Sequence, residues 1–261
     1  MNVLAIVSAK GGVGKTTLAA NIGAALSKRR RVLCVDLDPQ NALRLHLGVA
    51  MDELDGVARC TLEGRPWNSA LFQSPGSPEI LPFGTIDEMD RDAFEVYLAE
   101  HPDWLDKGLK GLHLNASDLV VLDTPPGPSL YLQQALRTST FVLCVLHADA
   151  ASYATVPAME GLLQRYCQGR QDFAGSAYLL NNVNTDKVLS RDIVEILRSN
   201  LSDRMVPTVI HQDEAVRESL ASDQLLADYD PHCEATFDVA SCADWVLDHM
   251  SRSGPARVRK A

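Results

Sequence analysis

Two lysines, three glycines and two threonines fall within eight residues, Lys10-Gly11-Gly12-Val13-Gly14-Lys15-Thr16-Thr17. Glycines let the backbone turn tightly and bring several N–H groups onto one anion. Lys15 is a point charge that can reach the β- and γ-phosphates of a nucleotide, and the Thr16 hydroxyl can ligate magnesium. The chemistry is that of cradling a phosphate chain and its divalent ion. Two acidic strand ends extend it. Asp36-Leu37-Asp38-Pro39-Gln40 follows one apolar run, and Asp123-Thr124-Pro125-Pro126-Gly127 follows another. A carboxylate at a buried strand end can hold magnesium directly or through water.

These groups need elements to position them. The loop follows an apolar run at 3–7 and opens a segment with Leu18, Ile22, Ala25 and Leu26 at helical spacing. Strand, glycine turn and helix in that order is the context of a phosphate loop, with the helix's positive end aimed at the anion. Further strands are expected at 32–36, 79–83, 119–123, 141–146, 177–181 and 207–210. Several are apolar without alternation, as strands covered on both faces are. Helices are expected at 16–28, 87–99, 130–138, 152–167, 190–201, 214–222 and from about 235 to 250. The alternation implies one α/β domain, a single doubly wound and mostly parallel sheet flanked by helices. Ligands of such sheets sit beyond the carboxyl ends of the strands, where all the groups above fall.

The loop carries Ala9 where the usual phosphate-loop expression has glycine, and the early Lys10 resembles the deviant Walker A loop of the MinD/ParA ATPase family. The D-x-D-P-Q and D-T-P-P-G stretches are similar to that family's two switch regions. The resemblance implies an ATP-dependent homodimer with magnesium, in which Lys10 crosses to the partner's nucleotide. It implies that Asp38 positions the attacking water, Asp36 lies close to the magnesium, and the Gly127 N–H senses the γ-phosphate. An asparagine at the end of 177–181 would read adenine, Asn181 or, alternatively, Asn182. Three further stretches narrow the likeness: 149–155, 210–216, and Tyr229-Asp230-Pro231 with Cys242-Ala243-Asp244-Trp245. They resemble the branch of the family found in bacterial cellulose synthesis operons, over Met1 to about His249. That branch implies a weak ATPase that supports assembly, localisation or activation of an inner-membrane cellulose synthase beside small accessory subunits.

Composition bounds the alternatives. No apolar run approaches the roughly 20 residues that span a bilayer, so a soluble, cytoplasmic protein is expected; its recruitment to the inner membrane's cytoplasmic face by partners is what the resemblance implies. The tail 251–261 contains Gly254 and Pro255 and one sizeable apolar residue, Val258. It is expected to be a basic, disordered end to a domain spanning 1–250, without the apolar face that direct membrane insertion needs. A formal net charge of −10 argues against nucleic acid as a matrix, and so against a partition or positioning ATPase. The six cysteines include no C-x-x-C pair, which disfavours disulfides and iron–sulfur carriage. A non-hydrolysing, ATP-bound scaffold is the remaining alternative. Trp67 and Trp104 are expected to be local core, and 51–112 is assigned no chemistry.

Overall fold

The computed structural model describes residues 1–73 and 76–252. Seven strands form one sheet in the order β3-β4-β2-β5-β1-β6-β7. They are β1 Asn2–Val7, β2 Val32–Asp36, β3 Phe72–Gln73, β4 Glu79–Leu81, β5 Leu119–Asp123, β6 Phe141–His147 and β7 Gly175–Asn181. All pairings are parallel except that of β3 with β4. Parallel neighbours need crossovers, which helices preceding β7 supply, and the twelve α-helices among the described residues cover both faces. These are α1 Lys15–Ser27, α2 Leu43–His46, α3 Val57–Leu62, α4 Glu88–Glu100, α5 Trp104–Gly111 and α6 Leu130–Thr138. The chain continues with α7 Ala150–Tyr153, α8 Val156–Tyr166, α9 Val188–Leu201, α10 Ala215–Ala221, α11 Leu226–Tyr229 and α12 Glu234–Arg252.

The apolar, non-alternating strands follow from burial on both sides. In β1, Val3, Ala5 and Val7 pack into one core with α4, α5, α6 and α8, while Leu4 and Ile6 face the other with α1 and α12. Register levels the strand ends. Asp123 pairs with Ile6 on one side and Asp36 on the other, and His147 pairs with Asn181. One carboxyl edge therefore presents the phosphate loop, both acidic strand ends and Asn181 together.

Several sequence expectations need correction. Residues 207–210 are not a strand. Pro207 offers no N–H, and the segment joins β7 only through Val206 N–H to Tyr178 O and Ile210 N–H to Leu180 O. The helix expected at 152–167 is two, α7 and α8, broken at Ala154–Thr155, because Pro157 cannot donate back to Tyr153 and its ring crowds that carbonyl. Strand β4 stops at Leu81, before Pro82. The short α2 and α11 and the two-residue β3 were not anticipated. α12 runs to Arg252, and the rest of the expected tail lies outside the described residues.

Candidate functional site

The phosphate loop turns where its glycines permit. Gly12 and Gly14 take φ of 72° and 87°, left-handed values that L side chains rarely adopt. Gly14 is the residue before α1, so the turn places the helix's N-terminal amides at the loop's mouth. Asn181 locks the turn from the side, its Nδ2 donating to Val13 O at 2.7 Å. A Cβ on Gly14 would lie 2.4 Å from that nitrogen. The left-handed φ calls for glycine, and a Cβ would in addition displace the Asn181 amide from Val13 O.

Two carboxylates sit level beneath the loop, both fully buried, with different surroundings. Asp36 accepts the N–H groups of Asp38 (2.8 Å) and Leu43 (3.0 Å), so each oxygen holds the loop that carries Asp38. Burial and the neighbouring Asp123 push its carboxyl well above the usual range. In Asp123, Oδ1 accepts the Thr124 N–H at 3.0 Å, while Oδ2 has no partner within hydrogen-bond geometry among the described residues. Burial pushes the Asp123 carboxyl up to about 7, against the opposing pull of the nearby Thr16 hydroxyl and of Lys15. Lys15 is 6% exposed, and burial lowers its ammonium's pKa despite the attraction of Asp123 and Asp38. A buried cation beside a buried, partly unsatisfied carboxylate is costly unless something else completes the set. A phosphate chain facing Lys15, with a divalent ion facing Asp123 Oδ2 and the Thr16 hydroxyl, would complete it. The residues fit magnesium–nucleotide chemistry.

Asp38 lies at the half-buried rim, its Oδ1 accepting the Gln40 N–H at 2.9 Å. Gly127, at φ 74°, donates its N–H to Ser8 O at 3.0 Å, tying the D-T-P-P-G turn to the loop's first residue. Lys10 reaches sideways to Asp149, Nζ to Oδ2 at 3.1 Å, with both side chains 40% exposed. Asp149 also caps α7, accepting the Ser152 N–H at 2.6 Å. The link to Lys10 was not legible in the sequence.

Beside Gly12–Gly14 opens a cavity of about 320 Å³. Leu18, Ile210, Val216, Leu226 and Val239 give it apolar walls, and Asn181, Asn182 and His211 line it as well. Asn21, 6% exposed, braces its floor by donating to Thr17 O and accepting the Leu226 N–H. Asn182 is exposed at φ 57°, whereas Asn181 is fixed against the loop. Of the expected site residues, the structure gathers Gly11–Thr17, Asp36, Asp38, Asp123, Gly127 and Asn181 on one edge. Asn21 and the cavity walls from α11 and α12 were missed, since apolar residues on amphipathic helices carry no signal separating pocket wall from core.

A family profile described as "Cellulose biosynthesis protein BcsQ" matches residues 1–247. The cellulose biosynthesis protein BcsQ of Salmonella typhimurium is 28% identical over 254 residues, covering 95% of both chains. The chromosome-partitioning ATPase Soj of Thermus thermophilus is 30% identical over 233 residues, covering 87% of this chain and 88% of that one. Among solved structures, the septum site-determining protein MinD of Pyrococcus horikoshii, complexed with Mg-ADP, superposes with a TM-score of 0.77. It is 22% identical, covering 97% of this chain and 98% of that one.

Proposed function

The chain belongs to the BcsQ family within the ParA/MinD ATPase superfamily, and we propose that it is an ATP-dependent dimeric switch serving a bacterial cellulose synthase. The observation that carries the reading is the unsatisfied Asp123 Oδ2 beside the buried Lys15, under a loop of left-handed glycines. A Mg·ATP molecule supplies the missing charge and acceptors there.

In this reading Lys15 and the loop amides hold the phosphates. Bound magnesium, held by Thr16 and Asp123 with Asp36 close by, would neutralise charge building on the phosphoryl oxygens. Asp38 orients the hydrolytic water from a loop that Asp36 fixes through two backbone hydrogen bonds. Lys10 leaves Asp149 to reach the nucleotide of a second copy. Gly127 exchanges the Ser8 carbonyl for a γ-phosphate oxygen, which moves the 124–129 turn when ATP is present. Phosphoryl transfer needs positioning and charge stabilisation above all, and these groups supply both. ATP-driven closure of two copies then sets affinity for small accessory subunits and the inner-membrane synthase, whose assembly, localisation or activation it supports. No helix among the described residues is long and apolar enough to cross a membrane, so attachment at the cytoplasmic face runs through those partners.

Sedimentation with ATP, ADP or no nucleotide, with phosphate release followed on the same samples, tests the switch. A dimer should appear with ATP alone, turn over slowly, and persist without turnover in Asp38→Ala. Lys15→Ala should bind no ATP and stay monomeric. A dimer indifferent to nucleotide, without turnover, would replace the switch by an ATP-bound scaffold.

A further inference from the structure

Within the nucleotide cavity, hydrogen-bonding capacity is unevenly spent. The Asn181 amide nitrogen is committed to Val13 O, which leaves its carbonyl as an acceptor. Both Asn21 groups are used, and both Asp213 oxygens accept helix N–H groups, from Ala215 at 3.0 Å and Ala235 at 3.5 Å. His211 is held from α12. Its Nδ1 lies 2.8 Å from Asp238 Oδ2 and 3.3 Å from Glu234 Oε1, and the same Asp238 oxygen accepts the His211 backbone N–H at 2.9 Å. Asp238 is only 9% exposed, so the anchor is fixed.

A carboxylate can only accept, so Nδ1 carries the proton. That tautomer presents Nε2 as an acceptor, and it has no partner among the described residues. Asn181 Oδ1 and His211 Nε2, acceptors without a partner among the described residues, belong to the lining beside apolar walls suited to the faces of a flat base. Arg217 and Asn182 lie on the exposed rim.

Building on the proposed ATP reading, we infer that His211, oriented by Asp238, is a specificity-determining residue accepting a hydrogen bond from the exocyclic amine of adenine. An amine has two hydrogens and can satisfy both acceptors. A base with a carbonyl at that position sets oxygen against them and leaves them unpaired, which is how a hydrogen-bonding pocket rejects an analogue. His211 touches the base in this assignment, and Asp238 is a positioning residue acting through the imidazole.

Displacement of a fluorescent ATP analogue from the full-length protein with Mg²⁺, by ATP and by inosine triphosphate, tests this. The wild type should favour ATP by about tenfold or more, the worth of one charge-free hydrogen bond plus the unpaired acceptors. His211→Ala should lose ATP affinity while inosine triphosphate changes little, bringing the ratio towards one. Asp238→Ala should move the ratio the same way by less. Equal losses for both nucleotides, or no discrimination by the wild type, would overturn the assignment while leaving the ATP reading intact. Binding of neither triphosphate by the wild type, or undiminished binding by Lys15→Ala, would instead defeat the ATP reading itself.

Discussion

The carboxyl edge of the sheet and the aromatic layer under α3, α4 and α5 share the same strands and treat polar groups in opposite ways. In the aromatic layer every buried demand is met. The indoles of Trp67 and Trp104 both donate to the Thr61 hydroxyl, at 3.3 and 3.0 Å, and that hydroxyl donates to Val57 O. Gln134 spends its amide on Leu98 O and His101 O and its carbonyl on the Leu105 N–H. The rings meet edge to face, Trp67 with Trp104 at 4.9 Å and Phe94 with Trp104 at 5.3 Å. At the carboxyl edge demands are left open. Among the described residues, the buried side-chain atoms without partners are Asn41 Nδ2, Arg44 Nε and Asp123 Oδ2. Asn41 lies in the loop after β2, Arg44 in α2 directly after it, and Asp123 at the end of β5. Polar groups are satisfied where the fold is only holding itself together, and left short where a ligand can complete them.

If that division is real, damage should separate too, and the largest effect belongs to the layer. Trp104→Ala removes a ring 5% exposed, and such truncations cost about 3–5 kcal/mol. Urea unfolding should show that loss, while the folded fraction keeps its ATP affinity within about twofold, a difference under 0.5 kcal/mol. A large drop in ATP affinity of the folded protein would mean the two regions are coupled, and the comparison would fail.

The two regions also differ in how far they could be read from the chain. The phosphate loop, Asp38 and Asp123 were legible because their chemistry is local, with a turn, a charge and a strand end each contained in a few residues. The aromatic layer was not, beyond the expectation that Trp67 and Trp104 are core. α3 and α5 span six and eight residues, too short to hold themselves in water, and exist because tertiary contacts hold them. Gly108 shows the same dependence, since a Cβ there would sit 2.2 Å from the Trp67 ring. The pairs Lys10–Asp149 and His211–Asp238 were invisible for a different reason. They join residues from separate elements, and spacing says nothing about them.

A smaller effect is expected beside the site. His46 closes α2, directly after the loop that Asp36 fixes, and burial pushes its imidazole down to about 4. The unfolded chain takes up its proton near 6.5. Between those values the unfolded state binds one more proton than the native state, so stability falls as pH drops from about 6.5 to 4. The slope is at most about 1.4 kcal/mol per pH unit. In His46→Leu this part of the acid sensitivity should vanish, giving a flatter plot of unfolding free energy against pH. Parallel plots for the two proteins would show that His46 does not titrate as its burial demands.

The smallest effect on stability should have a disproportionate consequence for assembly. Lys10 and Asp149 are each 40% exposed, and ion pairs so exposed contribute about 0–1 kcal/mol. Asp149→Asn removes the charge and keeps a side chain that caps helices equally well, so α7 should survive and melting should barely shift. Yet in the proposed switch the same pair holds Lys10 within its own subunit, and each ATP-bound copy must break it before closing on the other. Removing a restraint of up to about 1 kcal/mol should strengthen ATP-dependent dimerisation by at most about fivefold per lysine, read as a lower dissociation constant in sedimentation. ADP samples should stay monomeric. Weaker dimerisation in Asp149→Asn would show that Asp149 works inside the closed pair, and Lys10 would then need no release from it.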